Sequence, residues 1–360
     1  MAATSKTRSY DRLLTTTSDL YYKSGIVQDN IFQSNPLFHC LHGKEDGIRM
    51  EDAGGDFIKC GLMYEENGNF DSYSGYDILD DTPQDGITSA FFPWAQYSGA
   101  NVIDGLSKFK NTGRAKIVDL WTEVIKQTMY TGQERLNKDL LDVANVTFVS
   151  PTTGNGGKNI QGLPIMVNSA PTTSTYTYGG VDCNAETWWA NRTYDGASIA
   201  LWSDLYGAML NLYNDCSRGG GGSPDIVLAD QVTYESYVKY LDDKIRYEYT
   251  DTPSAGFENV RAWGAKMFWD VYMPNVDAGS TVQNGGDGVT LTAGTVYMLN
   301  SKAMNLVVGK GLDFKPQGVR KAERQDALRE YVLFYGQLIT NNRRKHGVLW
   351  DIEPALTKTA

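Results

Sequence analysis

Residues 39–42 read His-Cys-Leu-His, placing two imidazoles and a thiol within four positions, a cluster with the donor types a zinc ion takes. Structural zinc sites draw their ligands from two separated pairs. No second pair exists here, because the other cysteines are Cys60, Cys183 and Cys216 and the only other histidine is His346. The cluster therefore reads as a partly buried anchor, and no metal is expected. With one histidine left, a Ser-His-Asp or Cys-His relay has few ways to assemble, and the G-x-S-x-G and H-E-x-x-H patterns are absent. The glycine run in "RGGGGSPDIVLAD" (218–230) is the next candidate. A phosphate cradle needs a strand before the glycines, a helix after them and, in the Walker form, a following Lys. Here the order is helix, glycines, strand, with no Lys after the run. Gly219 reads as a helix C-cap and the other glycines as a link. Trp188 and Trp189, with 22 tyrosines elsewhere, are of the right type to stack on sugar rings, and two carboxylates suffice for a glycosidase. Aromatics serve more often as core or interface anchors. The expectation is a protein that is not an enzyme and needs no cofactor.

Charge narrows the classes further. A net charge of -10 and a pI near 4.9 argue against binding nucleic acid through overall charge, which requires neutralising phosphates. No apolar run approaches the ~18 residues of a membrane helix, the first residues lack the apolar core of a signal peptide, and no membrane partner is expected. Four widely spaced cysteines read as reduced thiols. The charge is unevenly spread. Residues 61–107 contain no Lys or Arg, while Glu65, Glu66, Asp71, Asp77, Asp80, Asp81, Asp85 and Asp104 accumulate. Such a segment is too polar to bury itself and calls for a basic neighbour. Arg343, Arg344 and Lys345 read as a solvated hairpin tip or as a partner for an acidic surface.

The elements that would position these groups follow from periodicity. Residues 1–50 are polar, with scattered apolar anchors such as Leu13, Leu14, Ile31 and Phe32, and read as an arm. Residues 56–81 read as a long hairpin around a turn-rich "EENGN". From Gly113, Ile117, Leu120, Trp121, Val124, Ile125, Thr128 and Met129 line one face, extended by Leu136, Leu140 and Leu141. A continuous helix of about 30 residues would run about 45 Å, with Gly132 as a kink. A second helix is expected from Asp195, a third capped by Thr233, and strands at "DIVLA", "AKMFWDVYM" and "TVYMLN". The C-terminal "REYVLFYGQLITNNRRKHGVLWDI" reads as two long strands joined by "NNRRKHG". The class is α+β, with roughly two domains or one domain with long extensions.

This order of arm, acidic hairpin, long helix, mixed domain and returning strands resembles the major capsid proteins of tailed bacteriophages, which share the Hong Kong ninety-seven-like fold. The resemblance rests on "LSKFKNTGRAKIVDLWTEVIKQTMYTGQERLNKDLLD" as a spine helix and on "GGGGSPDIVLADQVTYESYVKYLDD". In the latter a glycine turn, Pro-Asp, a short strand and a Tyr-bearing helix follow one another. It implies an N-terminal arm (1–50), an extended loop (51–107), the spine and first part of a peripheral domain (108–161), an axial domain (162–308) and return strands of the peripheral domain (309–360). It implies a structural protein that self-assembles through pentamers and hexamers into an icosahedral virion shell around double-stranded DNA, assembled in the bacterial host cytoplasm. Partners implied are further copies of the chain, a separate scaffolding protein, a portal and a decoration protein, with DNA touched only weakly. The acidic loop would lie across Arg114 and Lys116, or across Arg343, Arg344 and Lys345, of an adjacent subunit. Alternatives are an encapsulin-type shell around an enzyme cargo and, from another class, a carbohydrate-binding or carbohydrate-cleaving protein.

Some members of that family join subunits by a Lys–Asn isopeptide bond whose Lys lies in the extended loop. With no Lys in residues 61–107, and only Lys59 and Lys108 at the base, this chain departs from that pattern. On a denaturing gel, assembled material should run as a single band near 39.9 kDa. A ladder of multiples would contradict this.

Overall fold

The computed structural model describes residues 36–42, 49–52, 54–79, 81–110, 120–141, 157–172, 176–242, 260–270, 272–273, 282–284, 289–291, 294–321, 323, 325–352 and 356–358. In chain order the elements begin with helix α1 (Pro36–His42), strands β1 (Arg49–Asp52), β2 (Ile58–Met63), β3 (Ile87–Phe92) and β4 (Ala95–Asp104), and helices α2 (Gly105–Lys110), α3 (Leu120–Leu141) and α4 (Leu163–Met166). Next come β5 (Thr177–Tyr178), β6 (Val181–Asp182), β7 (Arg192–Asp195), α5 (Trp202–Ser217), β8 (Ile226–Ala229) and α6 (Gln231–Asp242). The remainder is strands: β9 (Val260–Ala262), β10 (Ala265–Trp269), β11 (Val282–Asn284), β12 (Val289–Leu291), β13 (Gly294–Leu299), β14 (Met304–Gly309), β15 (Lys315–Pro316), β16 (Arg320–Lys321), β17 (Ala327–Thr340) and β18 (Gly347–Ile352).

β17 organises the first, long sheet. Along one edge it pairs antiparallel with β4 from Ala327↔Asp104 to Gly336↔Ala95; along the other it pairs with β14, β15 and β16. β1 adds to β14 in parallel. Side chains alternate between the faces of a strand, so Tyr97, Gly99 and Asn101 of β4 share one face with Phe334, Val332 and Glu330 of β17. α3 covers that face: Thr128 hydrogen-bonds Asn101, and the Tyr97 hydroxyl donates to Asp139 at 3.0 Å. The helix spans about 33 Å at 1.5 Å per residue. It runs unbroken through Gly132, and the Phe314 ring lies where a Cβ on that residue would be. The rest of the expected helical span, including Arg114 and Lys116, lies outside the described residues, as does most of the expected arm.

The second sheet has the order β7-β18-β13-β8-β10-β9. β8 and β13 are buried along their whole length, and their period-2 alternation divides them between two cores. Val227, Ala229, Val296 and Met298 pack with Leu205, Met209 and Leu212 of α5 and Tyr234 and Tyr237 of α6. Ile226, Leu228, Tyr297 and Leu299 turn the other way, into a cluster that also holds Leu37 and Leu41 of α1, Leu136 and Leu140 of α3, and Leu306 and Leu338 of the long sheet. Fully burying such a side chain contributes about 1.5–3 kcal/mol, so this shared cluster binds the two sheets together. Asn137, fully buried on α3, accepts from the Phe38 N–H at 3.1 Å and donates to Asp270 at 3.0 Å, tying α1, the helix and the end of β10 to one amide.

Several local expectations are corrected. Asp195 ends strand β7, and the helix begins at Trp202. α6 is capped by Asp230, whose carboxylate accepts from the Thr233 N–H at 3.1 Å; Thr233 itself lies inside the helix. The acidic hairpin closes through Ile87–Phe92, well beyond the expected second strand. β17 and β18 do not pair at all. Both edges of β17 are taken by β4 and by β14, β15 and β16, while β18 lies between β13 and β7 in the other sheet.

The connection between β17 and β18 is thus a crossing from sheet to sheet, and it corrects the solvated-tip expectation. Arg343 and Lys345 are buried in a 3₁₀ turn; Arg344 alone of the three is exposed. Arg343 donates to the carbonyls of Met166 (2.8 Å) and Trp189 (3.2 Å), to Asn191 Oδ1 (3.0 Å) and to Cys183 Sγ (2.7 Å). Its guanidinium carbon lies 5.3 and 4.9 Å from the ring centroids of Tyr176 and Tyr178. The Lys345 ammonium donates to the carbonyls of Arg218 (3.0 Å) and Gly219 (3.1 Å) at the C-terminus of α5. These carbonyls have no partner inside the helix and lie at the negative end of its dipole. Gly219, Gly221 and Gly222 all have positive φ, and the Lys345 stem passes 3.3 Å from where a Cβ on Gly221 would sit. The glycine run is a helix cap wrapped around a lysine.

His346 completes the crossing. Nδ1 accepts from the Asn300 N–H at 3.3 Å, and Nε2 faces the Thr340 hydroxyl at 3.1 Å. That hydroxyl donates to the Ala303 carbonyl at 2.7 Å, so the ring is neutral with its proton on Nε2. Burial, and then the Arg343 charge, push its pKa from 6.5 down to about 3. Between those values the unfolded chain binds a proton there and the folded chain does not. The stability this ring contributes is full above pH 6.5 and is lost as the pH falls through the window. Burial raises Asp230 and Asp270, which gives a slope of opposite sign, so the comparison must be made within one position. From about pH 7 to about pH 4.5 the wild-type chain should lose up to about 1.4 kcal/mol per pH unit more than His346→Gln, measured by urea denaturation. Equal slopes would contradict the neutral ring.

Candidate inter-subunit surface

The acidic segment is a hairpin with a seated base and an uncovered tip. β2 and β3 pair in register from Ile58↔Phe92 to Met63↔Ile87. Alternation sends Ile58, Leu62, Ala90 and Phe92 inward and leaves Met63, Ile87 and Phe91 exposed. The inward row rests on the turn between β5 and β6. There the Phe91 N–H donates to the Gly179 carbonyl at 3.0 Å, and Phe92 meets Tyr178 with ring centroids 5.1 Å apart. Gly180, at φ +80°, lies so close to Phe91 that a Cβ would sit 2.3 Å from the ring. Tyr64 stacks on Trp188 at 5.3 Å.

Beyond Tyr64 the tip is held by its own polar groups. Asn69 donates to the Thr82 carbonyl (2.6 Å) and accepts from Gln84 (2.8 Å), while Asp71 and Asp77 accept from the N–H groups of Ser72 and Ser74, each at 2.7 Å. Phe70, Tyr76 and Ile78 are 95%, 103% and 99% exposed, and Tyr73 and Leu79 are largely so. Water-exposed apolar groups this concentrated mark a contact surface. Glu65, Glu66, Asp71, Asp77, Asp81 and Asp85 are all exposed around them, and among the described residues no cation lies within ion-pair distance of any of these six. Asp80 lies outside the described residues.

The opposite charge lies elsewhere. The face of the long sheet away from α3 carries Gln96, Ser98, Ala100 and Val102 of β4 and Arg329, Tyr331, Leu333 and Tyr335 of β17. Across the third strand position, Arg320 of β16 stands directly opposite Arg329, and Lys315 of β15 opposite Leu333. Like charges directly opposite on a sheet are unfavourable. Sequence reasoning missed this basic row, because its three members sit on three consecutive strands, two of them only two residues long, and only the pairing register of β15 and β16 on β17 aligns them. Of the basic residues that it singled out, Arg343 and Lys345 are enclosed in the crossing.

Other chemistry recedes. No group of three or more His, Cys, Asp or Glu side chains among the described residues could hold a metal. Trp189 is buried and donates to the Tyr178 carbonyl at 2.9 Å, and one face of Trp188 is covered by Tyr64, which leaves no pair of open faces for a sugar.

No family model and no curated protein matches the sequence. Solved structures do match it, over nearly the whole chain. The fold is α+β, of the Hong Kong ninety-seven type. The capsid asymmetric unit of cyanophage A-1(L) matches with a TM-score of 0.66 at 13% identity, covering 92% of this chain and 97% of that one. The holo-SrpI encapsulin complex from Synechococcus elongatus matches at 0.57 and 10% identity, covering 95% of each chain. The capsid asymmetric unit of cyanophage Pam1 matches at 0.53 and 14% identity, covering 98% and 99%.

The hairpin seat is testable through Lys59, an exposed side chain on paired β2 and the last Lys or Arg before a basic-free stretch. Gly180→Val should push Phe91 off its seat and speed tryptic cleavage after Lys59 about tenfold, as ~1.4 kcal/mol of lost local stability would. An unchanged rate would mean that the turn does not hold the hairpin.

Proposed function

We propose that this chain is the major coat subunit of a phage-type capsid, self-assembling through pentamers and hexamers into an icosahedral shell around double-stranded DNA. The observation that carries this is the hairpin tip: among the described residues of a chain with this fold, an acidic, apolar surface stands uncovered, as a surface meant for a neighbour would. Its acidic residues meet a basic surface of an adjacent subunit. A net charge of -10 suits a wall that must not grip packaged DNA. On this reading the chain has no catalytic role, is assembled in the bacterial host cytoplasm with a separate scaffolding protein and portal, accepts a decoration protein, and ends in the virion. The divisions into arm (1–50), extended loop (51–107), peripheral parts (108–161 and 309–360) and axial domain (162–308) belong to the same proposal, with β18 contributed to the second sheet. A shell enclosing an enzyme cargo is the second reading, supported by the likeness to the encapsulin.

Negative-stain electron microscopy with light scattering, on the purified chain at high concentration, should show closed shells or curved sheets. Monomers of 39.9 kDa under every condition would overturn the proposal. Nuclease-resistant DNA inside shells from the native source would select the capsid reading; a co-purified enzyme would select the other.

A further inference from the structure

A cleft of about 320 Å³ lies between α3 and the face of the long sheet that the helix covers. That volume falls at the lower end of the range for sites that hold small molecules, about 300–1,000 Å³. Its lining is mostly apolar: Tyr97 of β4, Val332 and Phe334 of β17, and Phe314 on the connection from β14 to β15. Gly99 and Gly132, on the sheet and the helix, line it without adding a side chain of their own. The rings are arranged in series. Phe314 and Phe334 stack with centroids 4.8 Å apart, and Tyr97 meets Phe334 edge-on at 6.2 Å. The Tyr97 hydroxyl is engaged by Asp139 and by the Ile160 N–H at 2.9 Å, so its ring is what the cleft receives. Phe314 is held at φ +44°, in the left-handed region that an aromatic residue rarely adopts. Backbone strain of this kind persists only where the surroundings impose it, and it gathers at ligand clamps and active sites.

Among the described residues that line the cleft, Arg135 is the only charged one. Its Nε faces the buried Asp139 carboxylate at 3.1 Å, one helical turn along α3, which sets the plane of the guanidinium. Its two terminal amino groups make no hydrogen bond or ion pair with a described residue. Two parallel N–H donors of this kind match the two oxygens of a carboxylate. The Arg135 charge is already partly balanced by Asp139, so a single added negative charge suits it better than the double charge of a phosphate. We propose that this cleft binds a small aromatic monocarboxylate, its ring against Phe314, Phe334 and Tyr97 and its carboxylate on the terminal nitrogens of Arg135. The apolar contact supplies most of the affinity, and the guanidinium fixes which end of the molecule faces out.

The test is equilibrium dialysis of the full-length chain against two fluorescent probes, 2-naphthylacetate and 2-naphthylethanol, which share a ring system and differ in charge. The acetate should bind saturably at one site per chain, at least about tenfold more tightly than the alcohol, the effect of a single charge-assisted contact. No saturable binding of the acetate up to about 1 mM, or equal affinity for the two probes, overturns the proposal. Dialysis reads binding to free and to assembled chains alike, so a negative result here leaves the shell reading standing.

Two substitutions locate the site. Arg135→Gln should weaken the acetate at least about tenfold and leave the alcohol within about twofold of its wild-type affinity, a split that a general loosening of the fold would not produce. Thr131→Trp changes an exposed lining residue on α3 and places an indole in the cleft, so it should weaken both probes at least about tenfold without disturbing the buried Asp139. Should Arg135→Gln leave Asp139 unpaired and the chain unfolded, Thr131→Trp still decides. Acetate affinity unchanged by Thr131→Trp puts the probe elsewhere on the chain and overturns the proposal, as does an equal loss for both probes in a folded Arg135→Gln chain.

Discussion

The chain passes from one six-stranded sheet to the other between Thr340 and Gly347, and three polar side chains are enclosed where it does so. A buried guanidinium is strongly unfavourable unless its donors are met and its charge is spread. Here carbonyls, an amide and a thiol accept its hydrogen bonds, and two tyrosine faces flank it, with no carboxylate involved. Those acceptors come from α4, from the β5–β6 region and from the segment leading into β7. Arg343 therefore fixes, at one point, the elements that carry the hairpin seat. Lys345 does the same for the end of α5, and His346 for the connection from β13 to β14.

The exposed surfaces depend on that rigidity. Gly179 and Gly180 lie between Tyr178, whose ring flanks Arg343, and β6, so the seat under Phe91 and Phe92 is braced from below. The hairpin base is consequently part of the folded body, while among the described residues the tip beyond Tyr64 is held by its own turns. A projecting element with a rigid root and a soft, adhesive end loses less conformational freedom on contact than a wholly mobile loop would. The shared apolar core likewise keeps the long sheet and the second sheet in one arrangement, so an outer face of the long sheet presents its basic row at a fixed place.

What could be read from the sequence was whatever depends on neighbours a few residues away. The apolar stripe of Val124, Leu136 and Leu140 indicated the long helix, and "DIVLA" and "TVYMLN" indicated buried strands because period and flanking turns are local signals. The absence of Lys and Arg from residues 61–107 pointed to a hairpin, but its second strand was placed too early, and the same stretch also holds β4, which is paired along β17 in the long sheet. Pairing failed where it depended on competition between distant strands: nothing within "REYVLFYGQLITNNRRKHGVLWDI" reveals that β17 has both edges occupied. Arg343 and Lys345 were misjudged for a related reason. A run of basic residues signals solvent on average, and the carbonyls that accept from this one belong to segments more than a hundred residues away. The cap of α6 was misplaced by three residues because Asp and Thr are both good N-cap formers and only the backbone decides between them.

On the proposed shell reading, an acidic tip on one copy and a basic surface on another would make a heterologous contact rather than a self-complementary one. Such a contact leaves an unused tip on one side and an unused basic surface on the other, so it propagates until a ring closes. A self-complementary patch would stop at a dimer. The overall charge of -10 then acts as a brake, because copies repel unless tip and basic surface are aligned, and it disfavours collapse through any other surface. Each contact is weak, with exposed ion pairs worth about 0–1 kcal/mol apiece, and a closed ring multiplies it without strengthening any one. Weak, directional and repeated contacts let a misplaced copy leave before the ring closes around it.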